Sequence, residues 1–412
     1  MALNYVWLGF FLIAFVVAVF KSVVLHDASI FGEIMNGMFS SAKTGAEISL
    51  GLAGIMTLWL GIMRIGEVAG MINRFSRLVN PFFSKLFPDV PKGHPAMGSM
   101  MMNFSATMLG LDNAATPMGL KAMKELQEIN PRPEEASNPQ IMFLVLNTAG
   151  VVLIPTSVIA LRLAAGAANP ADIFIPTLIS TFIAFIMGMF TVSIFQKINL
   201  FKLPVLIFLL LFAGIMTGLY YWVHSLPPAE IGPKTASLGG AIIFTIVITF
   251  LVAGMVKKIN VYDAFIEGAK EGFQVSVRII PYLVGMLVAI SVFRTTGCLD
   301  YITHGIGLFF AWLGLNTDFV PALPVAFMKP LSGGGARALM VDILKTHGVD
   351  SFVGKLASII QGTTETTFYV LAVYFGSVNV KQTRYALAAG LIADFFGMLC
   401  AILLGYLFFH TA

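Results

Sequence analysis

Residues 359–370 read IIQGTTETTFYV, and in them Gln361, Thr363, Thr364, Glu365, Thr366 and Thr367 interrupt a stretch that is otherwise apolar from Phe352 to Phe375. A charged residue at membrane depth costs about 2.5–3.5 kcal/mol on insertion scales, so a carboxylate kept there needs a reason. Gln361 and Glu365 are four apart and share one helix face. A carboxylate with five hydrogen-bonding neighbours can bind a cation, a proton, or the hydroxyl and amide edges of a polar solute. The alternative is a polar clamp between helices. With so many neighbours, Glu365→Ala is expected to strand partners and cost stability.

The chain around this run is a membrane chain. Of 412 residues, 58% are hydrophobic and 11% charged, against about 25% charged in soluble domains. Its 39 glycines and 19 prolines fall inside apolar runs, where membrane helices tolerate them. The net charge of +4 is dispersed, which excludes the basic stripe of a nucleic-acid binder. Cys298 and Cys400 lie far apart and indicate neither a disulfide framework nor a thiolate metal site. The run from Tyr5 to Phe20 has no basic start and reads as a retained span rather than a signal peptide. Neither G-x-x-x-x-G-K-[ST] nor H-E-x-x-H occurs, so no built-in NTPase, zinc protease, metal or cofactor is expected. No nucleophile and base pair is visible, and the chain does not read as an enzyme.

The length needed to cross about 30 Å of hydrocarbon selects nine spans: Tyr5 to Phe20, Ile48 to Met63, Ile141 to Leu163, Ile173 to Phe195, Leu203 to Val223, Leu238 to Val256, Ile279 to Phe293, Phe352 to Phe375 and Tyr385 to Phe409. Two further stretches, Met97 to Leu120 and Phe319 to Leu344, are broken by LDNAATP and KPLSGGGAR and read as re-entrant or unwound. Phe31 to Glu47 and Tyr262 to Arg278 mix charged and apolar residues and are expected to lie along the interface as amphipathic helices.

The two halves repeat one order of elements. GEIMNGMFSSAKTGAE aligns with DAFIEGAKEGFQVSVR, MRIGEVAGMI with FRTTGCLDYI, LGLDNAATPMGLKAM with KPLSGGGARALMVDI, and Asn169 with Asn379, the spacing shortening only at loops. In the first half the loop after the second span is the more basic (Arg64, Arg74, Arg77, Lys85, Lys92). In the second half it is the loop after the first span (Lys257, Lys258, Lys270, Arg278). Since short basic loops stay cytoplasmic, the halves are oppositely oriented, and the unpaired span Leu203 to Val223 inverts the second copy. This puts the N-terminus inside and the C-terminus outside the inner membrane. The fold class is thus an all-α polytopic membrane protein of two inverted-topology repeats with broken or re-entrant helices, a plan that recurs in secondary transporters with substrate near the midplane.

Four more clusters carry polar groups. Around Pro117, Asp112, Asn113 and Thr116 supply side chains. In the paired motif, Ser332, Gly333 and Gly334 allow a solute to approach backbone at a helix N-terminus, with Arg337 reinforcing an anion. Asn147, Thr148, Thr156 and Ser157 stand opposite the threonine-rich run, with Pro155 in the place of Glu365. Asp394 lies deep in the last span, as a proton or sodium site or as the partner of an arginine. Arg162 and Arg278 sit near helix ends and are expected to snorkel to headgroups. LDNAATP and LSGGGAR are expected to approach one another near the midplane.

LDNAATPMGLKAMKELQE and LNTAGVVLIPTSVIALR resemble spore maturation protein A. VYDAFIEGAKEGF, KPLSGGGARALM, QGTTETTFYVLAVYFGSV and RYALAAGLIADF resemble spore maturation protein B. Both families belong to the nucleoside-recognition or Gate group, which also contributes segments to concentrative nucleoside transporters and to the ferrous iron transport B GTPase. The resemblance implies a fusion: an A-like repeat over 1–199, a connecting span and loop over 200–237, and a B-like repeat over 238–412. It implies a role in late spore development. Likeness to a re-entrant hairpin of the nucleoside transporters implies solute contacts for Gln361, Thr363, Thr364 and Glu365. Two functions stay open. One is a secondary transporter of a small polar or anionic solute, with a coupling cation or proton at Glu365 and Asp394. The other is a non-transporting scaffold or maturation factor. Membrane lipids are the expected surroundings, and homo-oligomerisation is left open.

Overall fold

A computed structural model describes residues 2–108, 112–153 and 155–410. It is helical throughout, with no strand among the described residues. The first half runs through α1 (Ala2–Val24), α2 (Ile30–Val68), α3 (Met71–Leu86), α4 (Pro95–Met108), α5 (Asp112–Glu128), α6 (Asn138–Thr148), α7 (Thr156–Ala164) and α8 (Phe174–Gln196). After α9 (Leu203–His224) come α10 (Pro228–Val256), α11 (Val261–Thr295), α12 (Cys298–Trp312), α13 (Leu323–Met328), α14 (Gly333–His347), α15 (Phe352–Thr363), α16 (Thr367–Gly376) and α17 (Ala386–Phe409).

Among the described residues, five helices are long and apolar enough to cross a membrane: α1, α2, α8, α10 and α17. They number six if α11 and α12, bent by 70° at their junction, form one span. The expectation of nine differs from this chiefly at Ile141 to Leu163 and Phe352 to Phe375. Hydropathy reads through both, yet the first divides into α6 and α7 and the second into α15 and α16. In the first, Pro155, which has no amide hydrogen, precedes α7. In the second, Thr364 and Thr366 adopt extended backbone, which suits β-branched residues.

Phe31 to Glu47 and Tyr262 to Arg278 are not separate interfacial helices. They are the leading parts of α2 and α11, which pack antiparallel. Gly37 lies against Ser291 and Thr295, Gly45 against Val284, and Gly61 against Phe265. At Gly268 and Gly272 the backbone of Leu60 and Met56 comes so close that no Cβ would fit. Arg64 closes the pair, 2.8 Å from Glu267 and 2.8 Å from Glu67. Charges that looked interfacial in sequence thus belong to a helix pair whose small residues admit close approach. The helices that do turn away follow a left-handed glycine, Gly70 before α3 and Gly297 before α12. On α3, Val79, Phe82, Phe83 and Leu86 are buried while Arg74, Arg77 and Lys85 are exposed.

The α8 and α17 helices form the spine. One apolar core collects the start of α8 (Phe174, Ile179) and the end of α17 (Leu404, Phe408) with α14 and α15. A second collects the end of α8 (Phe185, Met189) and the start of α17 (Ala386, Ala389) with α3, α4 and α6. Between them Ala149, Ala184 and Ala393 form a small cluster of their own.

Arg162 does not snorkel. Its side chain is fully buried, 3.1 Å from Asp172 and 3.3 Å from Asp350, and it donates to the Val349 carbonyl at 3.0 Å. Lys355 holds the other Asp172 oxygen at 2.9 Å. The arginine was read as solvated because its two acids come from segments ten and 188 residues away.

Candidate functional site

The two breaks meet. The Ser137 hydroxyl and the Gln140 side chain cap the start of α6 reciprocally, as a capping box does, and α6 ends at Thr148. The second break follows Thr363, and there the Glu365 amide donates to the Thr148 carbonyl at 2.9 Å. Each break is also tied to the interruption in its own half. The Leu153 amide donates to the Met108 carbonyl at 2.8 Å and the Phe368 amide to the Pro330 carbonyl at 3.0 Å. Within these ties α5 packs on α4, α6 and α16, and α14 on α11, α13 and α15; Leu111 of LDNAATP lies outside the described residues.

The depth of this junction can be read along α8. At 1.5 Å per residue its 23 residues span about 34 Å, close to a bilayer core. Asp172, in the Arg162 cluster, precedes its start, and Gln196 at its end donates to the Asn138 carbonyl at 2.8 Å. Ala184, which touches Ala149 and Ala393, sits near its middle. The breaks thus lie midway between two polar ends.

On α17, glycines admit the threonines of both breaks. A Cβ on Gly390 would meet Thr367 at 2.9 Å and Thr148 at 3.6 Å, and one on Gly397 would meet Thr363 at 2.8 Å and Thr364 at 3.4 Å. Between these glycines stands Asp394, whose Oδ2 accepts the Thr367 hydroxyl at 2.6 Å. Among the described residues the junction holds buried oxygens without a hydrogen-bond partner: Thr148 Oγ1, Thr177 Oγ1, Gln361 Oε1, Thr364 Oγ1 and Asp394 Oδ1. Native interiors satisfy most buried polar groups, which makes this junction the candidate site. A second group adjoins it, in which Asn103 donates to the Ala115 carbonyl at 2.8 Å and the Tyr374 hydroxyl donates to Asn147 Oδ1 at 3.4 Å.

The remaining sequence-derived residues sort by place. Ser332 caps α14, accepting from the Gly335 amide at 3.0 Å. Gly333 stands against the Thr366 hydroxyl and the Arg337 guanidinium, so Arg337 runs beside the break that holds Glu365. Gly334 is exposed. Among the described residues, neither the Arg337 guanidinium nor the half-buried Glu365 carboxylate has a hydrogen bond or an ion pair. The expectation that Glu365 is held by its threonine neighbours is therefore corrected: those hydroxyls bond elsewhere or to nothing, because extended backbone points successive side chains apart. Thr116 is exposed on α5, and the side chains of Asp112 and Asn113 lie outside the described residues. Asn103, Thr177, Tyr374 and the buried Lys329 were missed by the sequence reading. A lysine before a proline in an apolar run, Lys329–Pro330, was the signal available for the last.

A cavity of about 480 Å³ lies away from the junction, at the end where α6 begins, lined by Asp89, Arg132, Glu135, Asn138 and Arg384 among others. There Lys381 pairs with Glu134 at 2.8 Å and Arg384 donates to the Ala136 carbonyl at 3.0 Å.

The nucleoside recognition (Gate) family matches residues 49–168 and 276–381. Spore maturation protein B of Bacillus subtilis (strain 168) is 44% identical over 172 residues, 42% of this chain and 95% of that protein. Spore maturation protein A of the same organism is 41% identical over 181 residues, 44% of this chain and 89% of that protein. No solved structure matches the chain.

Proposed function

The chain belongs to the nucleoside recognition (Gate) family, and from that premise we propose that it is a secondary transporter of a small polar or anionic solute, working by alternating access between two inverted repeats. The observation that carries this is the junction of the two breaks at mid-depth, where Arg337 and Glu365 have no hydrogen bond or ion pair among the described residues and stand beside buried hydroxyls. Broken helices meeting at the midplane are where transporters hold substrate, with half-helix N-termini toward anionic groups. The N-terminus of α14 with Arg337 suits an anionic group of the solute, and Glu365 suits its donors. The cavity at one end and the closed Arg162 cluster at the other fit a conformation accessible from one side.

Inverted repetition is supported by paired contacts. Gly37 touches Thr295, and the aligned Gly268 touches Arg64. Gly70 and Gly297 each turn the chain within three residues of the aligned position, and the breaks fall in corresponding segments. In this reading α9 is the connecting crossing, and the A-like and B-like proteins are joined in one chain. The N-terminus lies inside and the C-terminus outside the cytoplasmic membrane.

The second reading, a scaffold or maturation factor, is favoured by the names of the relatives, both of which are spore maturation proteins. Purified protein in vesicles, tested for uptake and for thermal stabilisation with a panel of nucleosides, nucleotides and small carboxylates, separates the two. A transporter takes up or is stabilised by at least one class; a scaffold responds to none.

A further inference from the structure

We propose that Asp394 is the centre of a monovalent cation site of the sodium type, built where α17 crosses the two breaks. The carboxylate is 2% exposed. One of its oxygens takes the Thr367 hydroxyl, and the other has no hydrogen-bond donor placed on it among the described residues. One turn before it Gly390 lies against Thr148 and Thr367, and one turn after it Gly397 lies against Thr363 and Thr364, so both breaks bracket it. The Thr364 hydroxyl lies beside the carboxylate, and the hydroxyl of Thr148, whose methyl packs on Gly390, has no hydrogen-bond partner among the described residues. Those two residues are 4% and 0% exposed. Helices α6 and α15 end here, and the carbonyls of a last turn point along the axis with the negative end of the dipole.

The donor set is one carboxylate with neutral oxygens, which suits a hard cation. Among the described residues, no group of three His, Cys, Asp or Glu side chains could hold a transition metal or a calcium ion. One carboxylate among neutral oxygens carries a single formal negative charge, which a monovalent ion neutralises and a divalent ion overshoots. A cation here draws α17, the end of α6 and the α15–α16 break onto one centre. This deepens the transport reading by separating the ion site at Asp394 from the solute groups Arg337 and Glu365, while binding itself requires no transport.

The test is thermal unfolding of the full chain in detergent, titrated with sodium chloride against choline chloride at constant ionic strength and pH. Sodium is expected to raise the midpoint where potassium and choline do not. The shift is expected to vanish in Asp394→Asn, to need about tenfold more sodium in Thr364→Val, and to persist in Glu365→Gln. Equal midpoints in all salts, a sodium shift that survives Asp394→Asn, or a shift driven by pH with no salt specificity each overturn the proposal. Should Asp394→Asn fail to fold, Thr364→Val and Thr148→Val carry the test, and unchanged sodium dependence in both overturns it. Stability is read without solute or vesicle, so absence of uptake defeats the transport reading and leaves this result standing.

Discussion

Glu365 is held by its backbone and free at its side chain. Its amide is fixed to Thr148 while its carboxylate, half-buried in the break, bonds to nothing among the described residues. A residue used for packing is held the other way round. Glu365→Gln keeps shape and removes charge, so solute-dependent uptake and stabilisation are expected to fall at least about tenfold while the unfolding midpoint stays. Glu365→Ala strands no partner, so its cost is expected within about 0.5 kcal/mol, unlike the larger loss the sequence alone suggested. Full uptake by both variants, measured beside their thermal midpoints, would remove Glu365 from solute binding. Arg337 makes the same contrast in the opposite charge, and its neighbours Gly333 and Gly334 leave the backbone open beside it.

At the scale of elements, the broken helices depend on ties outside themselves. A half-helix such as α7 is only nine residues long, too short to persist on its own. Arg162, near its end, binds the loop before α8 through Asp172 and the loop before α15 through Asp350 and Val349. Removing one partner of a buried ion cluster leaves unpaired charge and costs about 3–5 kcal/mol. Arg162→Met is expected to cost that much stability and so to lower the thermal midpoint, and a midpoint equal to wild type would show that water reaches the cluster. In the sequence, α14 was legible by its glycines after Ser332. The α15–α16 break was visible as a polar run. Its extended geometry was not, because threonines are also accommodated in helices and only the Thr148 contact decides between the two.

For the whole molecule, two of the basic loops, those after α2 and after α10, begin at the same end. Gly66 packs on Phe250 and Gly254 on Ile65, so the end of α2 and the end of α10 lie together, while Lys21 approaches Gly297 at the opposite end of α11. Single cysteines replacing Arg74 and Lys258, in a chain lacking Cys298 and Cys400, are expected to resist an impermeant reagent added outside and to react in opened vesicles. External labelling of both would refute the proposed orientation. The lipid-facing surface agrees with this arrangement: on α1, Leu12, Phe15, Val16 and Val23 are all exposed.

The sequence by itself determined the membrane class and the positions of the interruptions. Hydropathy, proline, glycine and charge bias act over one or two helical turns and are written locally. Only the tertiary structure decided which polar groups share a site. Asp394 acquires its threonines from a break 27 residues away, Glu365 reaches Thr148 across the two halves, and Arg162 becomes a core residue through Asp350. A buried charge is stabilised by partners brought in from distant segments, and no periodicity along the chain records where those partners arrive.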